Sequence, residues 1–213
     1  MNNFKSILKN VPEYVAGKNI EEIKKKYHIK RVIKLASNEN SYGINSHIKK
    51  IIKKNINNVF RYPDSKHSEL KSSISEKLKL SPDNIILGNG TDEILDMLFK
   101  YKSDRVVTFK PSFSLYKILC KIYGSKVTEI ELDNFEYNVK KILKTIRNKK
   151  ALIIICNPNN PTGTYINENG MAAIIEQMGS KSLLVVDEAY FHYSDALDFP
   201  DMVELFKRYQ EKR

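Results

Sequence analysis

Apolar residues recur along this chain in two rhythms. The first stretch has helical spacing. Ile20, Ile23 and Tyr27 recur at i, i+3 and i+7 after Pro12. Ile44, Ile48, Ile51, Ile52 and Ile56 share one stripe over residues 44–56, and Leu70, Ile74 and Leu78 share another over 66–80. Both read as amphipathic helices. From residue 84 short apolar runs alternate with helical stripes. The runs are Asn84–Leu87, Arg105–Phe109, Lys126–Leu132, Ala151–Cys156 and Ser182–Val186. The stripes between them are Ile94/Leu95/Leu98/Phe99, Leu115/Ile118/Leu119/Ile122, Val139/Ile142/Leu143/Ile146 and Met171/Ile174/Ile175/Met178. Strand and helix in alternation predict an α/β fold, a mostly parallel sheet with helices on both faces. The near-continuous apolar stretches Leu152–Ile155 and Leu183–Val186 suit strands buried on both sides. A last helix is expected at roughly 199–210, with Val203 and Phe206 on its apolar side.

Composition narrows the setting. The chain has 213 residues, 41% hydrophobic and 29% charged, which suits a globular protein with a real core. The longest apolar run, Ala151–Cys156, is far short of the ~20 residues that span a bilayer, so no membrane role is expected. The opening MNNFKSILKN has no apolar stretch of the secretory kind, and we expect a cytoplasmic protein. Cys120 and Cys156 read as core residues rather than a disulfide or zinc pair. His28, His47, His67 and His192 show no ligand spacing, so no metal is assigned. The net charge is +11. A basic balance suits anionic partners. Here the lysines alternate with isoleucines, as in Ile48-Lys49-Lys50-Ile51-Ile52-Lys53-Lys54, which is the solvated face of a helix. Nucleic acid is not the expected partner, and a basic, non-catalytic binding protein is the alternative from another class.

In open α/β sheets ligands sit beyond the carboxyl ends of the strands. Three segments there carry chemistry. Gly88-Asn89-Gly90-Thr91-Asp92-Glu93 joins a strand to a helix. It reads either as a phosphate cradle of free backbone N–H groups or as a plain helix start capped by Thr91. Asn157-Pro158-Asn159-Asn160-Pro161-Thr162-Gly163 is a rigid turn suited to presenting a side-chain amide. Asp187-Glu188-Ala189-Tyr190 brings a carboxylate out of a buried strand, which needs a cation or donors. Pyridoxal 5'-phosphate needs all three. Its pyridine nitrogen wants a carboxylate (Asp187), its phenolic oxygen wants donors (Asn160, Tyr190), and its phosphate wants the Gly90–Asp92 loop. Phe113, after another strand, offers its ring an aromatic face.

These segments, with Leu35-Ala36-Ser37-Asn38-Glu39-Asn40-Ser41-Tyr42-Gly43 and Arg61-Tyr62-Pro63-Asp64, resemble class I/II, fold-type I aminotransferases, and among these the histidinol-phosphate group. The resemblance runs from about Val11 onward. It implies the large domain of that fold, a pyridoxal 5'-phosphate cofactor and a homodimer. The reaction it implies is transfer of an amino group from a phosphorylated amino substrate, histidinol phosphate, to 2-oxoglutarate in histidine biosynthesis. Threonine-phosphate decarboxylase or aromatic aminotransferase activity on the same fold is the runner-up. It implies Asp187 at the pyridine nitrogen, Asn160 and Tyr190 at the phenolic oxygen, Phe113 on the ring, and Gly90, Thr91 and Asp92 at the phosphate. On the same resemblance Asp187 and Tyr190 would be the catalytic residues. Tyr62 would reach the phosphate held by the other subunit, and Tyr14 and Asn40 would lie near the substrate. We expect residues 1–40 to be an N-terminal arm and 41–213 a cofactor-binding large domain, incomplete and truncated before the family's small C-terminal domain. The family's cofactor-linking lysine follows a serine and precedes a glycine- and arginine-containing stretch. Lys207 and Lys212 stand in Phe206-Lys207-Arg208 and Glu211-Lys212-Arg213 and lack that context. The chain is therefore expected to be inactive alone. Ser41 also departs from the family, which usually has proline there.

Overall fold

A computed structural model describes Val11, residues 17–102 and residues 104–210. The described residues fall into two compact units, one of residues 17–82 and one of residues 83–210 with Val11.

The described part of the smaller unit holds helices α1 (Ile20–Tyr27), α2 (Ser46–Asn55) and α3 (Ser68–Leu78). Each begins where a short polar side chain offers an acceptor to a free backbone N–H. Asn19 accepts from Glu21 at 2.8 Å and Asn45 from His47 at 2.8 Å. Asp64 accepts from Ser68 at 2.8 Å and Lys66 at 3.0 Å, and these two N–H groups hold its carboxyl down at about 2. Part of the Arg61–Asp64 motif thus serves to start α3. No residue of α1, α2 or α3 is fully buried. The isoleucine stripe of α2 forms as predicted, but Ile48, Ile51 and Ile52 remain about half exposed.

The larger unit is built on four strands, β1 (Arg105–Lys110), β2 (Lys126–Glu131), β3 (Leu152–Cys156) and β4 (Leu183–Asp187). All pairings are parallel, in the order β2-β1-β3-β4. Around them lie α4 (Gly90–Tyr101), α5 (Ser114–Ile122), α6 (Val139–Ile146), α7 (Glu168–Gln177) and α8 (Met202–Gln210). Alternate strand residues face opposite ways. Val106, Leu152, Ile154 and Cys156 pack on Leu95 and Phe99 of α4 and on Tyr116, Leu119 and Cys120 of α5. Val107, Phe109, Ile153 and Ile155 pack on α6, α7 and α8 through Ile142, Ile146, Met171, Ile174 and Leu205. The expected α/β sheet with helices on both faces is what forms. Leu152, Ile153, Ile154 and Ile155 are completely buried, each worth ~1.5–3 kcal/mol of transfer from water.

Three expectations need correction. Asn84–Leu87 is not a strand. Pro82–Asn84 is a 3-10 turn, and residues 85–87 are extended without a ladder partner. Ile85 is buried and Ile86 exposed, so the apolar alternation is real. A strand needs a hydrogen-bonded neighbour as well as a pattern, and neither sheet edge supplies one among the described residues. Second, Leu183–Val186 are half-buried, not enclosed, because β4 is an edge strand paired only with β3. Third, α5 buries Tyr116, Leu119 and Cys120, whereas the predicted stripe was Leu115, Ile118, Leu119 and Ile122. The helix is turned so that a tyrosine faces the sheet.

The strand order fixes where a ligand can bind. The chain goes from β1 to β2 on one side, then crosses back to β3 on the other. The crossover helices α5 and α6 accordingly lie on opposite faces. The crevice beyond the carboxyl ends of β1 and β3 is therefore the switch point of the sheet.

Candidate functional site

Each segment singled out in the sequence of this unit lies at that rim. Pro111, Ser112 and Phe113 follow β1, Asn157 to Gly163 follow β3, and Asp187 ends β4. Helix α4 runs against the strands. Its last residues, Lys100 and Tyr101, line a cavity of about 700 Å³ with Arg105 and Ala151 at the opposite, amino-terminal edge of the sheet. Its first residues, Gly90, Thr91 and Asp92, are thereby carried to the rim, since twelve helical residues cover ~18 Å.

Asp187 is the centre of this rim. It is 7% exposed. Its Oδ2 accepts from the Tyr116 hydroxyl at 2.7 Å and its Oδ1 from the Ala189 N–H at 3.1 Å. Its backbone carbonyl accepts from the Asn157 N–H at 2.9 Å, extending the β3–β4 pairing by one residue. A carboxylate can accept about four hydrogen bonds. Two donors satisfy it partly and leave capacity for a ligand N–H. The adjacent Glu188 is pushed up to about 7 by burial, with Asp201 and Asp187 adding repulsion.

The asparagine-rich turn divides its labour. Asn157 is completely buried. Its Oδ1 accepts from the Ile166 N–H at 2.7 Å and its Nδ2 donates to the Ile166 carbonyl at 3.2 Å, so it closes the turn on itself. Asn159 accepts from the Ser112 hydroxyl at 2.8 Å, and its Nδ2 donates to the Pro111 carbonyl at 3.1 Å and to Thr162 Oγ1 at 2.8 Å. It ties the turn after β3 to the turn after β1. The half-buried Asn160 makes no side-chain hydrogen bond among the described residues, so its amide is the one left for a ligand. Phe113 is fixed by an edge-on contact with Tyr116, with centroids 5.5 Å apart and planes at 87°. Tyr190 lies against Tyr193 at 6.4 Å.

At the head of α4, Gly90 has φ +79°, a conformation that costs side-chain-bearing residues about 1–2 kcal/mol. Thr91 is not the cap. Asn89 is the cap residue and makes no side-chain cap bond, while the Glu93 carboxylate folds back onto the Asn89 N–H. The Gly90 N–H is taken up by the Gly88 carbonyl at 3.0 Å, and the N–H groups of Thr91 and Asp92 remain at the rim as an anion-favouring helix start.

Asn40 and Tyr62 belong to the other unit. Asn40 shapes a turn, accepting from the Tyr42 N–H at 3.0 Å. Tyr62 is fully exposed. Tyr14 lies outside the described residues. Sequence reading missed Tyr116 and Ser112, and it singled out the turn that holds Asn157 and Asn159 without giving those two a role. For the last two the signal was there, as polar residues placed directly after an all-apolar strand. For Tyr116 it was masked by apolar neighbours on both sides.

The model of the family "Aminotransferase class I and II" matches residues 30–211. A histidinol-phosphate aminotransferase of Bacillus licheniformis is 37% identical over 213 residues, covering 98% of this chain and 59% of its own length. The crystal structure of the histidinol-phosphate aminotransferase from Clostridium acetobutylicum superposes with TM-score 0.72 at 30% identity, covering 81% of this chain and 51% of that one. The histidinol-phosphate aminotransferase from Sinorhizobium meliloti, in complex with pyridoxal-5'-phosphate, superposes with TM-score 0.82 at 20% identity, covering 94% and 54%. The chain spans between 54% and 59% of the length of the curated relatives it matches.

Proposed function

The chain belongs to the class I and II aminotransferases, and from that premise we propose that its strand-end rim holds pyridoxal 5'-phosphate for amino-group transfer from histidinol phosphate to 2-oxoglutarate. The supporting observation is the buried Asp187 carboxylate, donated to on both oxygens yet not saturated. The donor set fits the cofactor. An anionic acceptor sits at one strand end, an unengaged amide at the next, and the N–H groups of a helix start lie at the same rim. When bound, this cofactor supplies an electron sink at the carbon carrying the amino group.

The residues act as follows. Asp187 accepts the ring N–H and keeps that proton in place. Asn160 and Tyr190 bind the phenolic oxygen. Phe113, held edge-on by Tyr116, covers one ring face and excludes water there. The N–H groups of Thr91 and Asp92, with the Thr91 hydroxyl, bind the phosphate, and Gly90, whose own N–H is engaged by the Gly88 carbonyl, lets the backbone approach it closely. Glu93 does not oppose it, because its carboxylate is turned onto Asn89. The family pattern supports Tyr62 at the phosphate bound by a second copy, and Asn40 and Tyr14 near the substrate. The proton-moving lysine of the family stands in a Ser-Lys context. Lys207 instead pairs with Glu204 at 2.7 Å on α8. We therefore assign to the described residues the holding and orienting of the cofactor, not a complete turnover.

The test is a fluorescence titration of the chain with pyridoxal 5'-phosphate. Saturable binding is expected, and Asp187→Ala weakens it by about 100-fold or more, the effect of removing one member of a buried charge pair. Equal affinity of the variant would refute the assignment. Adding histidinol phosphate, phosphothreonine or phenylalanine then ranks the amino substrates, with histidinol phosphate expected to bind best.

A further inference from the structure

We propose that Tyr116 is a positioning residue that acts through Asp187, locking the carboxylate so that it presents its remaining acceptor sites to the cofactor ring nitrogen. The inference rests on the cofactor reading above and goes beyond it, because it concerns a side chain on the far side of the carboxylate.

The hydroxyl of Tyr116 is buried and donates to Asp187 Oδ2 at 2.7 Å. Core packing alone does not call for it. The large buried side chains that share this cluster with Tyr116 are Leu95, Phe99, Leu119, Leu152 and Ile154, all apolar. A phenylalanine would fill the same space without a polar atom that demands a partner. The bond joins the first turn of α5, after β1, to the end of β4, 71 residues away. It thus spans the switch point of the sheet. The phenol has little freedom to turn aside. Phe113 packs edge-on against it, and its ring is 1% exposed.

Only one proton lies in this bond. Burial, followed by the Cys156 and Asp187 charges, raises the Tyr116 hydroxyl far above the usual phenol range, so the oxygen stays protonated and always donates. Asp187 is therefore always the acceptor. Its other oxygen is held by the Ala189 N–H. Two donors on two oxygens fix the carboxylate plane and leave its remaining acceptor sites aimed at one place.

The test is a double-mutant cycle on the full chain with pyridoxal 5'-phosphate as the probe. Its members are Tyr116→Phe, Asp187→Asn and the double variant. Tyr116→Phe is expected to raise the cofactor Kd by about ten-fold, the effect of one hydrogen bond to a charged group. It should also move the 15N resonance of a ring-labelled cofactor toward the unprotonated value. In the Asp187→Asn background the same change should alter Kd by less than about two-fold, because a residue acting through Asp187 has nothing left to act on. An equal loss in both backgrounds, or no loss in either, overturns the inference while leaving the cofactor reading standing. No binding to the unaltered chain, or none lost with Asp187→Asn, overturns both. A second readout needs no variant. The slowly exchanging hydroxyl proton of Tyr116 should shift in the proton NMR spectrum when the cofactor is added, and an unmoved signal also overturns the inference.

Discussion

Glu188 shows how one residue can tie the site to stability. Its carboxyl is raised to about 7, first by burial and then by Asp201 and Asp187. The folded chain therefore binds a proton that the unfolded chain, with a glutamate near 4.3, has released. Between these values stability falls as pH rises, since the folded state holds more protons. The stabilising protonation is complete below about pH 4 and lost through about pH 7. Glu188→Gln should thus be more stable than the parent at pH 8 by about 1–3 kcal/mol, with the gain shrinking toward zero below pH 5. Urea unfolding at several pH values measures this, and a gain independent of pH would contradict it. The two thiols follow the same logic of burial. Desolvation pushes Cys120 up to about 12 and raises Cys156 as well. Both should resist a thiol reagent in the folded chain and react once it is unfolded. Their assignment to the core needed only their apolar surroundings in sequence. The Tyr116 contact with Asp187 needed the fold, since nothing local relates two residues 71 apart.

Among the elements, the turn after β3 shows how sequence and fold share the work. Two prolines and a glycine made its rigidity readable. Which asparagine does what was not readable, because side-chain identity is the same and only burial differs. Asn157 is enclosed and satisfies both backbone groups of Ile166. Asn157→Ala would leave that N–H and carbonyl buried without partners, at a cost of about 2–4 kcal/mol. Chemical denaturation should register the loss, and a change below about 0.5 kcal/mol would mean that the turn is held elsewhere. The predicted strand at Asn84–Leu87 failed for the converse reason. Periodicity reports which faces a segment buries, whereas a strand exists only through a neighbour. For the same reason Leu183–Val186 read as a central strand although β4 stands at an edge. An apolar run says that a strand can be covered, and the sheet order decides whether it is.

Over the whole chain, burial is distributed unevenly. β1 and β3 carry residues of 0–1% exposure, while α1, α2 and α3 have none that is fully buried. Local opening is easiest where few apolar contacts must be broken. Backbone amides of β3 should therefore exchange with deuterium slowest, and those of α1–α3 orders of magnitude faster. Mass spectrometry of peptic fragments checks this, and uniform protection would show that the smaller unit is covered more fully than the described residues indicate. The sequence by itself determined the α/β class, the helical stripes, the runs that became β1 to β4 and the turns that follow them. All of these depend on local periodicity or on residue types with fixed backbone habits. The tertiary structure alone decided the order β2-β1-β3-β4, the turning of α5 that brings Tyr116 to Asp187, and the choice of Asn160 over its neighbours as the unengaged amide. Those follow from hydrogen bonds and packing between residues distant in the chain, and such pairings leave no periodic trace in it.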